Sequence, residues 1–250
     1  MSINKIKLSV VIPAFNEEEN IKNGCLTSVW KYLKKVDYYW EVILVDDEST
    51  DNTLNLINEF SKLHSGFKVS SQPHRGKGGT VMAGILEAKG KIVLFTDLDQ
   101  ATPLPEIEKF FPEFEKGNDI VIGIRSGRKG APLVRKIMAI GFSVLRKIIL
   151  NLNYKDTQCG FKAFKKGVAK EIFKKMKVYN EKIVSSGSAV TAGFDLEVLY
   201  IARKQGYKVS QVPVIWNHMD TKRINPIKDS FDGLMDLIKV RINTLKGMYK

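Results

Sequence analysis

"KIVLFTDLDQATP", residues 91–103, holds an unbroken apolar run, Ile92–Phe95, that ends in two aspartates, Asp97 and Asp99. A strand apolar on both faces belongs inside a parallel sheet covered by helices, because a sheet with one wet face alternates polar and apolar residues instead. Two carboxylates that close repel each other unless positive charge sits between them. In an extended segment residues i and i+2 point the same way, so Asp97 and Asp99 are expected to converge on one hard cation, Mg2+ or Mn2+. An isolated Asp-x-Asp is more often a solvated loop; its place at the end of a buried strand favours the metal.

The same rhythm extends in both directions. Apolar runs at Leu8–Ile12, Val42–Val45, Phe67–Ser70 and Ile120–Ile124 alternate with helix-like stretches at Asn20–Leu33, Thr53–Leu63, Thr80–Ala88 and Pro105–Glu115. This is the α/β pattern of a mostly parallel, Rossmann-like sheet flanked by helices. Such sheets bind ligands at the carboxyl ends of their strands, and the polar clusters "PAFNEE", "DDEST" and "TDLDQ" all lie there. The second half is less regular. It reads as a long helix at Pro132–Leu150, helices near Val168–Met176 and Leu196–Gln205, a strand at Lys208–Val214 and a C-terminal helix from about Asp229. No linker interrupts it, so residues 1–250 are expected to form one domain. Its nucleotide-sugar half would be 1–125, its acceptor half 126–225, and its amphipathic C-terminal helix 226–250.

The 250 residues are 44% hydrophobic and 27% charged, enough for one substantial core. No apolar run reaches the length of a membrane-spanning helix. The opening "MSINKIKLSVVIPAFNEEEN" leads straight into a strand, so no leader is expected, and Cys25 and Cys159 read as reduced thiols of a cytoplasmic protein. The net charge of +13 calls for a polyanionic partner: phosphorylated substrates, an anionic membrane surface or nucleic acid. No nucleic-acid-binding motif accompanies it, so nucleic acid is not expected.

Several residues carry candidate chemistry. Asp46 and Asp47 end the second strand, where an acid can hydrogen-bond a base or ribose; capping of the next helix is the plainer role. Glu17 is placed to reach the same nucleoside or simply to favour a helix start. "HRGKGGTVMAG" (74–84) lacks the glycine spacing of a Walker loop, and Gly76–Gly79 with Lys77 is read as the floor of a nucleotide pocket. "GIRSGRKGAPLVRK" (123–136) holds five basic residues and no acid, fit to receive a second phosphate. His64, His74 and His218 are read as structural or surface residues.

Taken together, "VVIPAFNEEENI", "EVILVDDESTDNT", "RGKGGTVMAG", "FTDLDQATPLPEI" and "DTQCGFKAF" resemble glycosyltransferase family 2, with its GT-A fold, over about Leu8–Lys222. Within it the chain is most similar to the dolichyl-phosphate glucosyltransferases and less so to the dolichyl-phosphate mannose synthases. The resemblance implies nucleoside contacts from Pro13, Phe15, Glu17, Val45 and Asp47. It implies a metal- and diphosphate-binding Asp97-Leu98-Asp99, with Asp99 and Arg125 catalytic. It also implies an acceptor side lined by Gln158, Cys159, Gly160, Thr221 and Lys222. The mannose synthases' "DADLQ" is altered here, with Ala101 at the glutamine's place and Gln100 one residue early, so waters or substrate would complete a metal's shell. The arginine they carry after the "VP" strand is replaced around Met219. This last departure favours UDP-glucose or UDP-N-acetylglucosamine over GDP-mannose.

The implied reaction is inverting transfer to a polyprenyl phosphate. Such an acceptor is already an anion and needs positive charge rather than a base; Arg125, Arg128, Arg135 and Lys222, with Gln158, are the candidates. A lipid acceptor requires docking on the cytoplasmic face of a membrane. Phe231, Leu234, Met235, Ile238, Ile242, Leu245 and Tyr249 recur at helical spacing with Lys239, Lys246 and Lys250 beside them, fit to lie on anionic lipid. Packing on the body, or against a second copy in a homodimer, uses the same pattern. The rival readings are a family 2 enzyme with a soluble glycan acceptor, a nucleic-acid binder and a nucleotidyltransferase.

Overall fold

The computed structural model describes residues 5–125, 133–178, 193–217 and 226–249. In chain order the elements are β1 (Leu8–Ala14), α1 (Glu18–Lys22), α2 (Cys25–Leu33), β2 (Trp40–Asp46), α3 (Thr53–Leu63), β3 (Phe67–Ser71), α4 (Gly76–Glu87), β4 (Ile92–Phe95), a 3-10 helix (Leu104–Lys109), α5 (Phe111–Glu115), β5 (Ile120–Arg125), α6 (Leu133–Leu150), β6 (Lys162–Lys165), α7 (Lys166–Lys175), α8 (Phe194–Lys204), β7 (Val209–Val214) and α9 (Pro226–Leu245).

The strands form one sheet in the order β3-β2-β1-β4-β6-β5-β7. All neighbours are parallel except β6, which runs antiparallel to both β4 and β5. The chain winds outward from β1 to β3 and then returns to lay β4 on the other side of β1. That reversal opens a crevice between the carboxyl ends of β1 and β4, where open α/β sheets bind ligands.

The apolar strands divide their side chains between two cores by the two-residue period of an extended chain. Val10, Ile12, Val42, Leu44, Ile92 and Leu94 face one core, with α2 and the 3-10 helix. Val11, Ile43, Val45, Val93 and Phe95 face the other, with α4, α7, α8 and α9. Phe95, fully buried, lies 6.2 Å from the Phe164 ring. A side chain of this size adds about 2–3 kcal/mol by burial.

The structure corrects four expectations. The single helix expected over Asn20–Leu33 breaks at Gly24, whose φ of 85° ends α1 and reopens the chain as α2. The helix expected from Thr80 starts four residues earlier, at Gly76. Its glycines let α4 lie almost on the sheet: a Cβ on Gly84 would fall 2.4 Å from Val11 Cγ1 and 2.9 Å from Val45 Cγ2. The stretch Pro105–Glu115 divides into a 3-10 turn and a short α-helix. Finally, β6 went unforeseen because "KAFK" has no apolar run; Lys162 is fully buried and reaches its ion-pair partner Asp195, 2.7 Å away, across the sheet's face.

The C-terminal helix is anchored on its inner side. Leu237 and Val240 are fully buried, and Asp236 packs against the backbone of Gly193, where a Cβ would fall 1.9 Å from Asp236 Oδ2. Tyr249 lies past the end of α9 and is fully buried rather than part of the outer stripe. Its hydroxyl donates to Glu197 on α8 at 2.7 Å. The same Glu197 oxygen accepts the amides of Lys177 and Val178 at 2.6 and 2.9 Å.

Candidate active site

Three loops meet at the carboxyl edge of the sheet, and each carries a non-glycine residue in the left-handed region: Asn16 (φ 53°) after β1, Glu48 (φ 62°) after β2 and Gln100 (φ 54°) after β4. Asparagine tolerates this conformation; for glutamate and glutamine it costs roughly 1 kcal/mol or more, and the surroundings must enforce it. They do. The Asn16 side-chain oxygen accepts the Thr50 amide at 2.8 Å, and the Glu17 amide donates to Thr53 Oγ1 at 2.7 Å. Glu48 accepts the His74 amide at 2.9 Å, and Gln100 donates through Nε2 to the Asp97 carbonyl at 2.8 Å.

The β1 and β2 loops build a ring-lined recess. The His74 imidazole stacks on Phe15 with centroids 4.5 Å apart, and its Nδ1 lies 2.9 Å from Asp47 Oδ2. Asp47 Oδ1 accepts the Arg75 amide at 2.8 Å. Asp47 therefore joins the β2 edge to the start of α4. Its neighbour Asp46, fully buried, has a carboxylate oxygen without a hydrogen-bond partner among the described residues, as does Arg75 Nε. Pro13 is half-buried on β1 opposite Val45. Val45 and Leu98 are 0% and 2% exposed, with side chains in the two cores, so only their backbone borders the recess.

Asp97 and Asp99 do not lie in an extended segment as expected. β4 ends at Phe95, and Asp97–Gln100 forms a turn closed by the Gln100 amide on the Asp97 carbonyl at 3.3 Å. Asp97 faces inward: one oxygen pairs with the Lys77 ammonium, and the other lies against Gly160, where a Cβ would fall 2.1 Å from it. Asp99 caps its own turn by accepting the Ala101 amide at 2.9 Å, while its carbonyl accepts the Cys25 thiol at 3.6 Å. Burial, with the charges of Asp99 and Glu17, pushes the Cys25 thiol up; Cys25 and Cys159 are both free.

The positive charge among these carboxylates belongs to Lys77. Burial alone would lower its pKa, but Asp97, Asp195 and Asp99 outweigh that and leave it raised. Asp195, 5% exposed, is pushed up by burial against the pull of Lys162 and Lys77. Among the described residues no group of three or more acidic, histidine or cysteine side chains is arranged around one point. Two hard carboxylate donors fit Mg2+ or Mn2+ when diphosphate and water oxygens fill the remaining positions, and suit a soft metal poorly.

On the far side of β4 the acceptor candidates are tied by ion pairs. Arg125 closes a two-pronged fork on Asp156, Nε at 2.7 Å and Nη2 at 3.0 Å, and stacks its guanidinium 5.7 Å from the Trp216 ring centroid. Burial raises the Asp156 carboxyl, but Arg125 overrides it and holds it below the usual range. Asp156 also accepts the Gln158 amide at 3.1 Å, leaving the Gln158 side chain exposed. Arg146 of α6 braces the same loop, donating to Thr157 Oγ1 at 2.8 Å. Arg128, Thr221, Lys222, Met219 and His218 lie outside the described residues, and Arg135 is placed only as a residue of α6.

Three residues were not foreseen. His74, expected to be structural or surface, lines the recess against Phe15 and Asp47, and Arg75 is a basic residue inside a motif valued for its glycines. Asp195 carried a signal of its own: an acid in "GFDLEVLY", a helix otherwise built to be buried, must meet a partner.

Comparisons with known proteins identify the family and agree with the fold. The family model for Glycosyl transferase family 2 matches residues 9–173. The dolichyl-phosphate beta-glucosyltransferase of Dictyostelium discoideum is 30% identical, over 99% of this chain and 78% of its own length. That of Saccharomyces cerevisiae is 32% identical, over 98% and 77%. Glucosyl-3-phosphoglycerate synthase from Mycobacterium tuberculosis, solved with Mn2+, UDP-glucose and phosphoglyceric acid, shares the fold with a TM-score of 0.66 at 19% identity, covering 94% of this chain and 80% of that one. The chain belongs to glycosyl transferase family 2.

Proposed function

We propose that the chain transfers glucose, with inversion, from UDP-glucose to a dolichyl or other polyprenyl phosphate. The observation that carries this is similarity to dolichyl-phosphate beta-glucosyltransferases along nearly the whole chain. The names of the same relatives favour glucose over N-acetylglucosamine or mannose.

In this reading the recess of Phe15, His74 and Asp47 takes the nucleoside. Lys77 turns from Asp97 towards the donor diphosphate, and Asp97 and Asp99 are the residues that would hold a divalent cation. When bound, that cation neutralises charge on the departing diphosphate. A lipid-phosphate oxygen bonds to the anomeric carbon as the bond from that carbon to the UDP oxygen breaks, and UDP leaves as an anion. No proton moves, so no base is required. Asp195 is then a structural counter-ion for Lys162 and Lys77. Arg125, with Arg128, Arg135, Lys222 and Gln158, supplies the acceptor phosphate's surroundings. The protein works in peripheral contact with the cytoplasmic face of a membrane; among the described residues no helix is long and apolar enough to cross one.

The test is a donor screen with Mn2+ or Mg2+ and a short polyprenyl phosphate. Transfer from UDP-glucose is expected to fall by roughly 10²–10³ in Asp99→Ala. Full metal-dependent transfer by that variant would overturn the site, and turnover only with hydroxyl acceptors would overturn the acceptor.

A further inference from the structure

Among the described residues twelve large apolar side chains are exposed, and eight of them lie on α6 and α9. On α9 they are Phe231, Met235, Ile238, Ile242 and Leu245, spaced by four, three, four and three residues, one stripe along the helix. Phe231 is 61% exposed and Leu245 73%. On α6 they are Val144, Leu145 and Ile148. The two helices pack together, with Phe142 lying 3.2 Å from where a Cβ on Gly233 would sit.

This stripe is not a core left unfilled. The inner side of α9 is already occupied by Leu237, Val240 and Asp236. The charges among the exposed apolar residues are of one sign: Lys147, Lys239, Arg241 and Lys246 are exposed. Across 141–150 and 231–249 no acid is exposed, since Asp232 is half-buried and Asp236 is buried.

We propose that this face docks the protein onto an anionic lipid surface. Apolar side chains enter the boundary between headgroups and acyl chains, while the cations lie at headgroup level, where each attracts anionic lipid. A second copy of the chain fits less well, because a two-fold contact would set cations against cations. The proposal deepens the reading above, on which it rests for the acceptor being a membrane lipid. It also fixes which face of the acceptor half meets the bilayer.

The experiment is flotation of the full chain with vesicles of phosphatidylcholine, alone or mixed with phosphatidylglycerol. The wild type is expected to float with the anionic vesicles and to be released by salt. Ile238→Glu/Ile242→Glu is expected to lower binding by about tenfold or more. Both positions are on the outer side of α9, so its melting temperature and its transfer to a short water-soluble polyprenyl phosphate should match wild type. Leu245→Glu, in the last turn, is the second variant should the first fold poorly. Failure of the wild type to float, or equal flotation of all three proteins, overturns the proposal. So does a wild-type dimer in sedimentation that the variants split while flotation persists. Flotation without transfer to the soluble acceptor supports docking and overturns the acceptor reading instead.

Discussion

The two flanks of β4 hold their candidate residues by different means. Towards β1 and β2, backbone amides donate to nearby side chains: Thr50 to Asn16, Glu17 to Thr53, His74 to Glu48, Arg75 to Asp47. Towards β6 and β5, charged side chains clasp each other: Arg125 with Asp156, and Lys162 with Asp195. The outer surfaces differ too, since among the described residues ten of the twelve exposed large apolar side chains follow residue 125. A donor of fixed shape suits a rigid loop cage. A flank that meets an anionic acceptor needs charge in reserve, and its ion pairs hold that charge in place.

The largest test of this contrast is Asp156→Ala. Removing one partner of a largely buried pair strands the Arg125 guanidinium and should cost about 3 kcal/mol, read as a lower denaturation midpoint. The pH dependence follows from the same pair. Asp156 is held below the usual carboxylate range, so its contribution is complete above the unfolded-state pKa and drains away as pH falls through the lower folded value. The gap between wild type and Asp156→Asn should therefore close in acid. A gap independent of pH would break the comparison.

Gly160→Ala comes next. It drives a methyl into the Asp97 carboxylate and should lower kcat by roughly 10–100-fold while the fold, checked by circular dichroism, persists. His74→Ala removes the ring stacked on Phe15 and should weaken UDP binding about fivefold, measured by calorimetry, with little change in kcat. The smallest effect is that of Tyr249→Phe, which takes one hydrogen bond from buried Glu197 and should cost about 1 kcal/mol in thermal melting.

The donor flank was the legible one. Its strands are apolar throughout and its acids follow within a few residues, so local pattern sufficed to set Asp97, Asp99 and Asp47 at the carboxyl edge of the sheet. Even there the expectation of an extended segment at Asp97–Asp99, just past the strand, missed the turn. On the other flank, β6 hides in "KAFK", and Lys162 is stable at the centre of the molecule only because Asp195 arrives from thirty-three positions later. Such pairs leave no mark on local periodicity. The place of His74 in the recess is hidden for a related reason: its neighbours Phe15 and Asp47 are brought beside it by the sheet.

The left-handed Glu48 and Gln100 carry a consequence for protein engineering. A library ranked by heat tolerance would favour glycine at both positions, since each relieves roughly 1 kcal/mol of torsional cost. The same exchange at 48 deletes the carboxylate that fixes His74, and at 100 the side-chain amide that donates a second hydrogen bond to the Asp97 carbonyl. Selection for robustness and selection for turnover should therefore choose opposite alleles at these two positions.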